Sequence, residues 1–183
     1  MKARGFTLVE MVTVLALIAL AAFLSAPYLV AFQRNSELRS AAGSFLSSLG
    51  TARSEAMKRD RNVYVVPLAS TDWASGWRVF SDENWNQAYD AGTDIDLMQQ
   101  PALPSHVTIE STAQARGFVD GGNAYVLFNG GGYPRSNGGA FAGGAIEFAT
   151  YGASDSRRRV VLTPIGRVRI CNPATDASSD CRQ

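Results

Sequence analysis

The chain has 183 residues, 46% of them apolar, with 17 basic and 16 acidic side chains and a formal net charge of +1. That balance excludes a global attraction for nucleic acid, so any polyanion binding must come from a local patch. His106 is the one histidine and lies far from the two cysteines, which argues against a metal centre. Ser105 beside it lacks triad partners, and the chain reads as a non-enzyme without a cofactor.

From Phe6 to Phe32 every residue is apolar or small except Thr7, Glu10, Thr13 and Ser25. As a helix this stretch is roughly 40 Å long at about 1.5 Å per residue, enough for a bilayer core of about 30 Å. Lys2 and Arg4 precede it, which holds the start in the cytoplasm, while Arg34 and Arg39 follow and weaken that bias. A secretory signal peptide has a similar plan, with small residues for cleavage between Ala19 and Ala26. Glu10 speaks against it. A charge in a membrane helix costs about 2.5–3.5 kcal/mol at the centre, less near an end, and marks function. The plainer alternative is that Glu10 snorkels to the headgroups.

The helix is expected to continue. Leu38, Ala41, Ala42, Phe45, Leu49, Ala52 and Ala56 recur at three- and four-residue steps, an apolar stripe that must pack on something. Ser40, Ser44, Ser47, Ser48, Thr51, Ser54, Glu55 and Lys58 form the face between. Lys58-Arg59-Asp60-Arg61 reads as the solvated C-terminal end, where cations suit the helix dipole.

Short strands follow. Val63–Val66 is expected to stop at Pro67. Trp77–Phe80, Val107–Glu110, Tyr125–Phe128, Ala145–Phe148, Val160–Leu162 and Gly166–Ile170 complete the set. Glycines at 130–132, 138–139 and 143–144 read as hairpin turns rather than phosphate loops. One long helix followed by short strands gives an α+β domain, with two small antiparallel sheets and one of them laid against the helix. Among the aromatic residues, Trp77 is expected in the core, with Trp73 and Trp85 anchoring loops. Tyr89 lies close by, and Asp72, Asp82, Glu83, Asp90, Asp94 and Asp96 around them repel nucleic acid. Asp94 and Asp96 have the spacing of calcium ligands, but Ile95 and Leu97 alternate with them as in a strand.

Cys171 and Cys181 enclose a short polar tail. In a chain exported from the cytosol such a pair reads as a disulfide, and it places the bulk of the chain in the periplasm. Arg167 and Arg169 alternate with Val168 and Ile170. The two residues, about 6.5–7 Å apart on one strand face, are expected to point their guanidiniums to solvent, where they suit phosphate oxygens. Arg157, Arg158 and Arg159 are expected nearby, at the preceding turn. The alternative is an ordinary solvated edge kept soluble by its cations.

Lys2-Ala3-Arg4-Gly5 followed by Phe6-Thr7-Leu8-Val9-Glu10 resembles the prepilin leader of type IV pilins and type II secretion pseudopilins. Pro27 falls where many pilins carry a helix-kinking proline. Ala52-Arg53-Ser54-Glu55-Ala56, Trp73-Ala74-Ser75-Gly76-Trp77, and Gly166-Arg167-Val168-Arg169 before Cys171 are similar to the GspH/FimT group of minor pilins and pseudopilins, FimU-like members included. The resemblance covers the whole chain. It implies cleavage by prepilin peptidase after Gly5 and N-methylation of Phe6. Glu10 then pairs with the amine of Phe6, of its own or a neighbouring subunit, because a carboxylate buried in a filament core needs a positive partner. Removal of Lys2 and Arg4 leaves 15 basic against 16 acidic side chains (17 less 2), a net charge of −1.

The implied organisation is a leader at 1–5, a transmembrane and filament-core helix at 6–32, an amphipathic continuation at 33–61 and a β-rich periplasmic domain at 62–183. The implied partners are prepilin peptidase, other minor and major pilins or pseudopilins, and the inner-membrane assembly platform. The implied location is the bacterial inner membrane, single-pass, then a pilus or pseudopilus, with a priming or tip role. FimT-like members carry the Gly-Arg-x-Arg segment in DNA uptake, which adds double-stranded DNA as a candidate partner of Arg157, Arg158, Arg159, Arg167 and Arg169. The alternative is a type II secretion pseudopilin H acting only in protein export, without nucleic-acid binding.

Overall fold

The computed structural model describes residues 7–111, 118–150 and 156–182. The chain divides into two compact units, one up to Ser36 and one from Glu37 onward.

A single helix, α1 (Leu8–Arg59), runs for 52 residues. Its start is capped: the Glu10 N–H donates to Thr7 Oγ1 at 3.3 Å, as a threonine at the N-cap does. Its end is equally defined. Asp60 takes a left-handed φ of 51°, and the Arg61 N–H donates back to the Ala56 carbonyl at 3.2 Å. This is the six-to-one closure that satisfies a last-turn carbonyl.

Within the second unit, three sheets follow. β1 (Val63–Ala69), β2 (Asp72–Ser81), β3 (Ile95–Gln100), β7 (Val126–Phe128) and β8 (Pro134–Arg135) form a five-stranded antiparallel sheet in the order β3-β2-β1-β7-β8. β4 (Val107–Ser111), β9 (Gly144–Thr150), β10 (Arg157–Leu162) and β11 (Val168–Cys171) form a four-stranded one, in the order β11-β10-β9-β4. β5 (Val119–Asp120) and β6 (Asn123–Ala124) make a two-stranded ribbon, and α2 (Ser179–Arg182) closes the chain.

The expected helix stripe is the core. Leu38, Ala41, Ala42, Phe45, Leu49, Ala52 and Ala56 are all buried. They pack with Val63, Val65, Trp77 and Val79 of one large sheet and with Ile146, Phe148, Val160 and Leu162 of the other. Both larger sheets therefore cover the helix, where the sequence suggested one. Phe45 sits at the centre, with ring centroids of Trp77, Trp73 and Phe148 at 4.9, 5.3 and 5.6 Å.

Four local expectations are corrected. Pro67 does not end β1; it pairs with Trp77 of β2, while the β1–β7 ladder already stops at Val65. A missing N–H at that point leaves no β7 carbonyl without a donor. Ser48 is buried rather than solvated, because its hydroxyl donates to the Ser44 carbonyl at 2.8 Å and accepts the Trp77 indole N–H at 2.8 Å. Trp73 lies in β2 and is 3% exposed, a core residue rather than a loop anchor. Of the glycines, Gly144 opens β9 instead of turning.

Candidate functional site

At the N-terminus Gly5 and Phe6 lie outside the described residues. Glu10 stands in the first turn of α1. Its carboxylate is exposed and has no partner among the described residues. Around it the large apolar side chains from Leu8 to Phe32 are 47% to 80% exposed, and the helix is long and apolar enough to cross a membrane. A surface this greasy requires lipid or other apolar helices around it. Pro27 falls inside the continuous helix.

At the other end of α1, Arg53 does what no single motif announced. Its Nε donates to the Gly132 carbonyl at 3.0 Å, and its Nη1 to the Gly166 carbonyl at 2.8 Å. One guanidinium thereby ties the helix to the turn after β7 and to the turn before β11. Gly166 has a φ of +80°, and a Cβ there would fall 2.6 Å from the Gly132 carbonyl oxygen. The glycine of the Gly-Arg-x-Arg segment thus has a packing reason. So has Gly76 of the Trp-x-x-Gly-Trp segment, whose φ of +91° lets the Gln100–Pro101 backbone approach it. The two motifs that contain Arg53 and Gly166 lie far apart in sequence, and only the fold joins them.

The tail arginines divide by strand face. Arg157, Arg158 and Arg159 lie in β10, not at a turn. Register places Arg159 opposite Glu147 and Cys171, and Arg169 opposite Val161. These residues share the sheet face turned away from α1. Glu147 is 4% exposed. It accepts from Arg159 Nη2 at 2.7 Å and from Arg157 Nη1 at 2.7 Å. Arg159 Nη1 donates onward to the Cys181 carbonyl at 2.6 Å. Arg169 does not point freely to solvent; it donates to Asp176 Oδ2 at 3.1 Å and to Ser178 Oγ at 2.7 Å. Val168 and Ile170 pack on the main core as expected.

Cys171 and Cys181 are disulfide-bonded, with Cα atoms 6.2 Å apart, and they cluster with Ala145 and Val161. The tail is therefore a cap over the outer face of the four-stranded sheet, held by one disulfide and two arginines, Arg159 and Arg169. The Ser178 hydroxyl and N–H, followed by Arg169, hold the Asp176 carboxyl below its usual range. Arg158 alternates onto the opposite face with Val160 and Leu162. Burial, then the like charge of Arg39, lowers its affinity for its proton. Arg167 precedes β11 and is exposed, and its guanidinium has no partner among the described residues. The five candidates do not converge on one patch.

The acidic loop is also structural. Asp94 accepts the backbone N–H groups of Glu83 and Asp90 at 3.0 and 2.7 Å, and Asp96 pairs with Arg78 at 3.3 Å. Those contacts account for both carboxylates once considered for calcium. Trp85 is 54% exposed beneath the Arg61 guanidinium, and Tyr89 packs on Phe80. His106 pairs with Glu37 of α1 at 2.8 Å.

Comparison with known proteins agrees with this architecture. The family model described as Type II transport protein GspH matches residues 41–166, and that of the prokaryotic N-terminal methylation motif matches residues 1–26. The pilin-like protein PilA1 of Thermus thermophilus is 34% identical over 95 residues, covering 52% of this chain and 58% of PilA1. The chain thus spans little more than half the length of that relative. The type IV minor pilin FimU of Pseudomonas aeruginosa superposes with a TM-score of 0.57 at 20% identity, covering 82% of this chain and 98% of FimU. The minor pseudopilin EpsH from the type 2 secretion system of Vibrio cholerae gives 0.52 at 13% identity, over 75% and 98%. With more than half of its length matched by the family model and a methylation motif at its head, the chain belongs to the GspH family of minor pilins and pseudopilins, whose members are structural subunits rather than enzymes.

Proposed function

We propose that this protein is a low-abundance filament subunit, cut after Gly5 by prepilin peptidase, N-methylated on Phe6 and assembled into a type IV pilus or a type II secretion pseudopilus at a priming or tip position. The observation that carries the reading is the exposed apolar helix from Leu8 to Phe32 with Glu10 as its only carboxylate. In a membrane that surface faces lipid. In a filament it faces the helices of other pilins or pseudopilins, where Glu10 meets the new amine of Phe6. The disulfide favours a domain outside the cytosol, delivered by an inner-membrane assembly platform. The organisation carried forward is a leader at 1–5, a span at 6–32, a helical continuation at 33–61 and a β-rich domain at 62–183.

The test is Glu10→Ala in the native cell. The variant is expected to insert in the membrane and to lose its leader, but to be depleted from sheared filaments, because the Phe6 amine loses its partner. Incorporation at the parental level overturns the pairing.

Binding of double-stranded DNA through the tail draws less support. Arg157, Arg159 and Arg169 already hold carboxylates, which leaves Arg167 as the exposed tail candidate without a partner among the described residues. One phosphate contact gives a salt slope of only about −0.9, against the six to ten contacts that make DNA binding strong. Arg167→Ala is expected to leave DNA retardation at low salt unchanged; its loss would restore the receptor reading.

A further inference from the structure

The outer face of the five-stranded sheet carries Tyr64, Phe80 and Leu127 as a second small core. Over it lie two adjoining clefts of about 430 and 340 Å³ that share Gln87 and Asn137. Each falls in the range of small-molecule sites, about 300–1,000 Å³. Their lining is rich in carboxamides: Asn86 and Asn123 in the first, Asn62 and Asn129 in the second. Among the described lining residues Arg135 is the one charged side chain, and it lies on the Phe141 ring, 3.7 Å from its centroid.

Several of the residues that carry these amides are held by their backbones. Buried Asp82 accepts the N–H groups of Asn86 and Gln87 at 3.3 and 3.0 Å, and Gln87 is kept at a left-handed φ of 67°. Ser70, also in the lining, has a φ of 47°. Strained non-glycine residues gather where a site over-determines them. Asn137 is fixed from below: Tyr64 Oη donates to its Oδ1 at 3.2 Å, and its own N–H donates to Tyr125 Oη at 2.8 Å. Its Nδ2, with the whole side-chain amides of Asn62, Gln87 and Asn123, has no partner among the described residues.

We propose that this groove binds a neutral glycan chain. A carboxamide offers a donor and an acceptor side by side, which matches the paired hydroxyls of a sugar ring. The alternatives fit less well. A polyanion would meet the nearby carboxylates of Asp82, Asp90 and Asp120, and would find Arg135 already engaged. A cation would find no carboxylate in the described lining. An extended peptide needs apolar pockets for alternate side chains, and these clefts are lined mainly by polar groups. The proposal stands apart from the filament role, since it concerns a face that does not include α1.

The experiment is calorimetric titration of the full chain, in a detergent without a sugar headgroup, with maltotriose, cellotriose and tri-N-acetylchitotriose. Heparin serves as the charged probe and a proline-rich decapeptide as the peptide probe. We expect saturable binding of at least one trisaccharide, unchanged between about 0.1 and 1 M salt. The double variant Gln87→Ala with Asn123→Ala is expected to bind roughly tenfold more weakly. Both side chains are exposed and without partners among the described residues, so its thermal midpoint should equal that of the parent. The proposal fails if none of the three sugars binds, if the double variant binds as well as the parent, or if heparin or the peptide binds and the sugars do not.

Discussion

Arg159 and Arg167 carry the same guanidinium eight positions apart, and their surroundings give them opposite weights. Arg159 holds Glu147, a residue 4% exposed, and the Cys181 carbonyl. Arg157 still pairs with Glu147 when Arg159 is removed, so the loss is that of charge-assisted hydrogen bonds, about 1.5–3 kcal/mol, rather than of a stranded charge. Arg159→Ala is therefore expected to destabilise the domain by about that much in denaturant unfolding, whereas Arg167→Ala, at a side chain that is exposed and without a partner among the described residues, should stay within about 0.5 kcal/mol. A similar loss at Arg167 would mean that the assignment of roles along the tail is wrong. The sequence could not distinguish these arginines. Strand alternation put Arg167 and Arg169 on one solvent face, but the residues that engage Arg169, Asp176 and Ser178, arrive from a polar tail with no periodicity of its own. Arg53 was equally silent, because its two acceptors are backbone carbonyls, which every sequence contains.

Among the elements, the tail cap is the most exposed to solution conditions. Asp176 has its affinity for protons lowered by the Ser178 hydroxyl and N–H and then by Arg169. A carboxylate with a folded pKa below its unfolded value of 3.8 adds stability above that value and loses it as pH falls through the lower folded one. Protection of the backbone amides of Asn172 and of residues 174–178, relative to the core strands at the same pH, is thus expected to be lower below about pH 3.8 than at pH 6. An unchanged relative protection across that range would remove Asp176 as the latch. The disulfide acts on the same element from the unfolded side. Closing a loop of this size contributes about 2–3 kcal/mol, so Cys171→Ala with Cys181→Ala should lower the unfolding free energy by that amount and leave the helix core intact by circular dichroism. For the helix, period and caps were legible: the stripe from Leu38 to Ala56 is buried at every named position. Seven strands were legible but short at their ends, since β2 begins at Asp72 and β10 at Arg157, while β3, β5, β6 and β8 were not among those expected. Polar residues at strand ends leave no hydrophobic alternation to read.

For the whole molecule the two units make different demands. The first exposes its apolar residues and needs lipid or other helices; the second buries its own. Replacing Gly5 by a bulky residue is expected to leave the leader attached, raising the mass of the membrane-bound protein by that of residues 1–5. A mature product of parental mass would remove the prepilin reading, and with it the reason for Glu10. By itself the sequence determined the long helix, its apolar head with one carboxylate, the buried stripe, the family and the cysteine pair, because each is written in local spacing or composition. Only the tertiary structure decided which arginines hold the fold, why Gly166 must be glycine, and where carboxamides from separate turns line one groove. Those depend on residues distant in the chain meeting across strand faces, and a side chain's partner across a fold leaves no period behind.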